Sequence, residues 1–405
     1  MIGRVFTLLS ILLLIDLVFL LGIKRLAILS FDQHWISRIR TIHYAITGAF
    51  LVFSLGFFLI QGDPRMDANI FRSYYIWTDT FLILYLPKFI MAIYILLNEL
   101  LIVIFKKYKK PITTILVGLA LVFAVGMILS FIDGMFNGVY RFKLREVEVV
   151  SDRLPQSFDG FRIVQISDVH LGSWKNKADV MKGLSLVEQA HPDLILLTGD
   201  LINVNYLEAI PYTEEFSRLK APFGKFSTFG NHDVGDYTRL NKIDSREYNT
   251  KGLAEFYNST GFKMMRNEHC FFYKGKDSIA LLGVDNWSVN KFRRLGRLDL
   301  ALKGLNNNIF EILMSHDPSH WQAEVTEKTT VDLMLAGHTH GMQLGFNTSW
   351  LKWSPISWRN PEWLGLYQQG QQYLYVNAGF GFLGFSGRVG IWPEVTVITL
   401  KRPKK

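Results

Sequence analysis

Cysteine is almost absent from this chain. Cys270 is the single one among 405 residues, which rules out an intramolecular disulfide framework and a cysteine-rich zinc site and leaves the redox compartment undecided. A charge bias is missing from the C-terminal two-thirds. From Glu146 to Lys405 there are 29 Lys and Arg against 28 Asp and Glu, net +1, so that part has no bulk attraction to nucleic acid. The whole-chain excess of +9 resides in the first 145 residues, with 15 basic against 7 acidic groups. A signal peptide is not expected either. The first apolar run, Val5–Ile23, is too long for one, and no small-residue cleavage pattern follows it.

Apolar surface is what the chain has in excess, at 49% hydrophobic residues. Four segments reach the roughly 20 residues that a bilayer span needs: Val5–Ile23, Ile42–Ile60, a run within Tyr75–Phe105, and Ile112–Ile132. The first loop holds Lys24, Arg25, Arg38 and Arg40. The third holds Lys106, Lys107, Lys109 and Lys110. The second has only Arg65 and Arg72, offset by Asp63 and Asp67. Basic loops stay in the cytoplasm, which places both termini, and everything after Ile132, outside. Arg4, and Arg141, Lys143 and Arg145 after the fourth span, pull the other way. Within the spans, Asp16, Lys88 and Glu99 are expected to face the bundle and pair, and Pro87 to kink the long third span.

Beyond about Glu146 the grammar changes to short β-branched runs, each closed at once by a polar group. FRIVQISDVH ends in Asp168 and His170, DLILLTGD in Asp200, and GKFSTFGNHD in Asn231, His232 and Asp233. FEILMSHDP carries His316, and VDLMLAGHTH carries His338 and His340. Strand ends of α/β sheets are rigid and open onto a shared crevice. Imidazoles and carboxylates gathered there are ligands for borderline divalent metals. Five of the ten histidines follow strand ends in this way, which ordinary packing does not require.

The series D-x-H, GD, GNHD, H and GH-x-H, in this order, resembles the calcineurin-like metallophosphoesterase family, and within it the membrane-anchored branch. That branch includes transmembrane metallophosphoesterases and UDP-2,3-diacylglucosamine pyrophosphatase-like proteins. The resemblance covers roughly Glu146 to Leu400. One departure is Met342, where that branch commonly carries a second glycine after GHTH. The resemblance implies an α/β domain of four layers, αββα, over residues 161–405, after a four-helix transmembrane region at 1–132 and a linker with the first strand at 133–160. It implies two divalent metal ions, one held by Asp168, His170 and His340 and the other by Asn231, His316 and His338, with Asp200 bridging. Mixed nitrogen and oxygen ligation suits Mn, Fe or Zn. A metal-bridging hydroxide would attack the phosphorus. His232 would protonate the leaving group, with Asp233 orienting it.

Four of the ten tryptophans, Trp350, Trp353, Trp358 and Trp363, crowd the stretch SWLKWSPISWRNPEWLG just after His340. Pro355 and Pro361 forbid one long core helix there. Tryptophan favours the bilayer interface. With Trp174 and the run Gly379–Phe385, these residues are expected to form an apolar lip for membrane lipid or substrate chains. A small second core is the alternative. The expected function is a membrane-anchored phosphodiesterase or pyrophosphatase of lipid metabolism, acting on a lipid or lipid-linked phosphate, with its catalytic domain outside the plasma membrane. UDP-2,3-diacylglucosamine hydrolysis in lipid A biosynthesis is the specific alternative, and it requires the opposite orientation. A nuclease and a non-catalytic metal-dependent binding module fit less well. No nucleic-acid partner is expected.

Overall fold

The computed structural model describes residues 2–30, 32–60, 68–235, 245–289 and 294–404. The acidic and basic groups of the second loop at Asp63, Arg65 and Asp67 lie outside them. Packing divides the chain between Asp133 and Gly134 into two compact units.

The N-terminal unit is helical: α1 (Ile2–Arg25), α2 (Gln33–Ile60), α3 (Ala68–Ile104) and α4, which starts at Lys109 and runs to Phe136. A helix satisfies its backbone internally, which is what an apolar surrounding demands. Among the described residues, three stretches are long and apolar enough to cross a membrane: Gln33–Phe58, Ser73–Ile104 and Lys106–Phe136. α3 continues through Pro87. Phe50, Phe57, Trp77 and Tyr85 form an aromatic core with Leu12. The charged residues are paired. Lys88 Nζ lies 2.8 Å from Asp16 Oδ1, Tyr85 donates to Asp16 Oδ2 at 2.9 Å, and Arg25 pairs with Glu99.

The C-terminal unit alternates strands and helices: β1 (Lys143–Val150), β2 (Arg162–Ile166), α5 (Lys177–Gln189), β3 (Leu194–Leu197), α6 (Thr213–Arg218), β4 (Lys225–Ser227), α7 (Ser245–Ser259), β5 (Phe262–Met264), β6 (Glu268–Lys274) and β7 (Asp277–Gly283). Then come α8 (Leu298–Leu302), β8 (Phe310–Met314), β9 (Leu333–Ala336), β10 (Phe346–Asn347), β11 (Lys352–Trp353), β12 (Gly365–Gln369), β13 (Gln372–Val376) and β14 (Glu394–Lys401). Two six-stranded sheets result, ordered β1-β14-β2-β3-β4-β5 and β12-β13-β9-β8-β7-β6, with β10 and β11 as a separate hairpin.

One core draws on both sheets. Ile163, Leu194, Leu196 and Phe226 of the first meet Leu281, Ile312, Leu333 and Tyr375 of the second. Each fully buried aliphatic side chain contributes about 1.5–3 kcal/mol, so this shared face holds the sheets together. The other face of the second sheet, at Ala280, Leu282, Leu313 and Met334, packs on Leu298 and Ala301 of α8 and on Trp321.

Register decides where the polar groups emerge. β2, β3 and β4 are parallel neighbours, with Ile166 beside Leu197 and Leu197 beside Ser227. β8 and β9 are parallel too, with Met314 beside Leu335. The chain therefore leaves neighbouring strands at one level and in one direction.

Candidate metal centre

Five strands deliver the polar groups. Asp168 and His170 follow β2, and Asp200 follows β3. Asn231, His232 and Asp233 follow β4, His316 follows β8, and His338 and His340 follow β9. The loops turn sharply. Seven of the eleven non-glycine residues with positive φ among the described residues lie here: Asp168, His170, Asp200, His338, His340, Met342 and Gln343. Left-handed backbone costs an ordinary residue energy and persists where the surroundings enforce it, most often at functional sites. Gly230 has its own reason, since a Cβ there would collide with Asp200 Oδ1.

Two donor groups result: Asp168, His170 and His340, and Asp200, His316 and His338. Within each group the ligand-type atoms lie within 4.8 Å of one another. The imidazole nitrogens of His170 and His340 face each other at 3.1 Å. His340 Nε2 is 3.2 Å from Asp168 Oδ1. His316 Nε2 is 3.1 Å from Asp200 Oδ2, 3.2 Å from Asn231 Oδ1 and 3.3 Å from His338 Nδ1. Asp200 Oδ2 also comes within 3.9 Å of His170 Nε2, so it touches both groups. All but His338 are essentially buried.

The charge balance explains how such a cluster stays folded. Burial opposes ionisation of Asp168, yet His340 and His316 hold it below the usual carboxylate range. Asp200 is likewise opposed by burial and is held well below that range by His316 and His232. Burial would lower His316, but Asp200 and Asp168 together raise it to about 10. Burial, then His232 and His340, keep His170 well below its ordinary value. Carboxylates and imidazole lone pairs pointed at one another in a dry site call for positive charge among them. These residues fit divalent cations in a mixed nitrogen and oxygen donor set.

The backbone fixes these side chains. The His338 amide donates to both Asp168 oxygens at 3.0 Å. His316 Nδ1 meets the Thr198 carbonyl at 2.8 Å, and His170 Nδ1 meets that of Ile202 at 3.2 Å. Such bonds orient the ring and direct the other nitrogen inward.

The expectation that Asp233 orients His232 needs correction. Asp233 accepts from the amides of Asp200 at 2.7 Å, Leu201 at 2.9 Å and Gly230 at 2.9 Å, so it clamps the Asp200 loop to the Asn231 loop. Burial and Asp200 push its carboxyl up to about 7, against the pull of those amides. His232 instead sets its Nδ1 2.6 Å from the carbonyl of Asn203. Burial keeps His232 below its ordinary value. Asn203 is held in turn by Glu208, whose carboxylate accepts from the amides of Asn203, Val204 and Asn205 at 2.6, 3.0 and 3.2 Å. Asp233→Ala would leave three buried amides unpaired, at about 1–3 kcal/mol each. Thermal unfolding should show a Tm lower by at least about 6 °C, the low end of that loss at about 2 °C per kcal/mol. An unchanged Tm with lost turnover would restore the role on His232.

The tryptophan stretch is split. Trp350 and Trp358 are 80% and 81% exposed, and Trp353 is half-buried between Phe346 and Trp358. Trp363 and Trp174 do not belong to a lip. Trp363 is buried with Leu364, Ala378 and Ile391, and its carbonyl accepts from Thr339 at 2.7 Å. Trp174 lies among Phe142, Phe380 and Phe382, and its indole donates to the Val169 carbonyl at 2.9 Å. Phe380, Phe382 and Phe385 are buried as well. Large rings fill the space behind the ligand loops, and a buried indole needs the acceptor it finds there. The lip reading fails for these residues.

Sequence reasoning passes over Arg388. It is fully buried, and it donates to the carbonyls of Gly379 at 3.0 Å and Gly381 at 2.9 Å, behind Asp168 and His340. No motif marks it.

Residues 161–342 match the model of the calcineurin-like phosphoesterase family. The chain is 28% identical over 276 residues to a zebrafish (Danio rerio) transmembrane protein with metallophosphoesterase domain, covering 66% of this chain and 60% of that protein. It is 32% identical over 267 residues to the uncharacterized metallophosphoesterase YkuE of Bacillus subtilis, covering 63% of this chain and 84% of that one. An uncharacterized metallophosphoesterase of Campylobacter jejuni is 26% identical over 330 residues, 81% of this chain and 83% of its own length. The match thus spans less than two-thirds of the zebrafish relative's length.

Proposed function

This chain belongs to the calcineurin-like phosphoesterase family and is a metal-dependent phosphoester hydrolase, and on that premise we propose that it cleaves a lipid-linked phosphodiester or pyrophosphate at a two-metal centre. The observation that carries the reading is the pair of donor groups joined through Asp200. Asp168, His170 and His340 would hold one divalent cation and Asn231, His316 and His338 the other, with Asp200 between them. Bound there, the ions would neutralise charge on the phosphoryl oxygens and acidify water. His232, fixed through Nδ1 by the Asn203 carbonyl, presents Nε2 as the atom that takes up a proton and passes it to the leaving alkoxide. An anionic ester beside it favours the protonated imidazole.

We read the C-terminal unit as the four-layer αββα arrangement and α1 as a fourth span. The basic first and third loops support an extracytoplasmic catalytic domain at the plasma membrane. Trp350 and Trp358 support a lipid substrate. They are exposed, and they sit on a segment tied to the metal loop by the Ser354 hydroxyl, which donates to the Gly341 carbonyl at 2.7 Å. Half of a tryptophan's surface buried in lipid is on the order of 2 kcal/mol, a factor of about 30. Trp350→Ser and Trp358→Ser should each lower the ratio of lipid-ester to small-diester hydrolysis by about that factor, at constant Tm. Trp363→Ser should instead lower Tm and both activities. Loss of both activities with early unfolding in all three variants would refute the lipid reading.

A further inference from the structure

Three successive residues after His340 hold left-handed backbone: Gly341 at φ 53°, Met342 at 49° and Gln343 at 57°. Two of them have an internal reason. Gly341 has no side chain to strain, and a Cβ there would press on Ile391 and Trp363 at 3.0 Å. Gln343 is buried and ties down the loop after Gly381. Its amide donates to the carbonyls of Phe385 and Gly387 at 2.8 Å, and its oxygen accepts from Leu383 at 2.6 Å. Met342 makes no comparable return. Its amide bonds the Thr339 carbonyl at 2.9 Å, which any residue would do, while its side chain is 52% exposed.

A long apolar side chain in a conformation that disfavours it, and left in solvent, is costly twice. What lies beside it is the metal centre, two residues away and so within about 7 Å of His340 along the chain. Phe346, Trp350 and Trp358 are further exposed apolar residues along the same segment. A thioether on an unbranched chain adapts to flexible apolar partners.

We propose that Met342 is a specificity-determining residue that packs against the apolar arm of the phosphate-ester substrate. The inference rests on the lipid-linked reading above and assigns one of its contacts.

The test compares p-nitrophenyl hexadecyl phosphate with p-nitrophenyl methyl phosphate, using the full-length protein in one detergent. Met342→Gly removes both the side chain and the strain, and Met342→Ser removes only the apolar surface. The hexadecyl-to-methyl ratio of kcat/KM should exceed 1 in the wild type. It should fall about fivefold to tenfold in both variants, through KM for the hexadecyl ester. Tm should hold in Met342→Ser and rise by up to about 4 °C in Met342→Gly. A wild-type preference that survives in both variants overturns the role of Met342 alone. So does a Tm that falls with both activities, because Met342 is then a packing residue. A wild type that prefers neither ester overturns the lipid reading and this assignment with it.

Discussion

Asp200→Asn should abolish hydrolysis almost completely, with kcat/KM for an aryl phosphodiester falling by about 10³ or more. Asp200 lies within reach of both donor groups, 3.1 Å from His316 and 3.9 Å from His170. A bound metal contributes several kcal/mol to phosphoryl transfer, and each 1.4 kcal/mol is tenfold. The amide side chain keeps an acceptor for the His232 amide, which Asp200 Oδ1 holds at 2.9 Å, so the fold should survive. The check is a thermal melt with and without Mn²⁺. Metal bound to the native state raises the wild-type Tm by mass action, and that rise should shrink sharply in the variant. Retained activity, or an equal Mn²⁺-dependent rise in Tm, would show that Asp200 does not join the two sites.

His232→Ala should separate binding from chemistry. The variant should keep its metals, because His232 lies outside both donor groups, yet lose roughly 10²–10⁴ in turnover, the usual worth of a positioned acid. The loss should be large for an alkyl ester, whose alkoxide needs a proton, and small for a nitrophenyl ester, whose phenolate does not. Metal content measured alongside the rate decides the matter. A parallel fall in both would make His232 a ligand or a structural group. The bond to the Asn203 carbonyl adds a refinement. Glu208→Ala should free the loop that carries that carbonyl, and reproduce part of the rate loss without touching any ligand.

The family and the hydrolase chemistry are legible in the amino-acid sequence because each motif pairs a buried strand with the polar group that ends it. Strand burial has a hydrophobic signature, and a parallel register converts five separate strand ends into one site. What is not legible has equally physical causes. The partner of His232 is a main-chain carbonyl, and every residue has one, so nothing distinguishes Asn203. The side chain next to His232, Asp233, is a carboxylate of the right type, but the left-handed turn at Asp200 aims the amides of Asp200 and Leu201 at it, and Gly230 adds a third. The tryptophan stretch has two prolines and no sustained periodicity, so spacing cannot tell Trp363, which fills the space behind the ligand loops, from Trp358, which faces solvent. Arg388 is invisible for a different reason. A lone arginine far from every motif reads as surface, whereas here it is buried and donates to the Gly379 and Gly381 carbonyls of the loop beside Asp168.

The membrane unit follows the same pattern of partial legibility. Apolar runs announce helices, and Asp16 and Lys88, 72 residues apart in sequence, announce that something must neutralise them. The pairing itself emerges only in three dimensions, where α1 and α3 bring the two within 2.8 Å and Tyr85 completes the carboxylate.

The measurement that bears most directly on the two-metal centre is a titration of metal-stripped, full-length protein with Mn²⁺, following bound metal per chain and hydrolysis of bis(p-nitrophenyl) phosphate in the same samples. Hydrolysis should be absent in excess chelator and should reach its plateau at two ions per chain, with Asp200→Asn failing to reach it at any concentration that the wild type needs. Full hydrolysis in excess chelator, or a plateau at one ion per chain, would contradict the account.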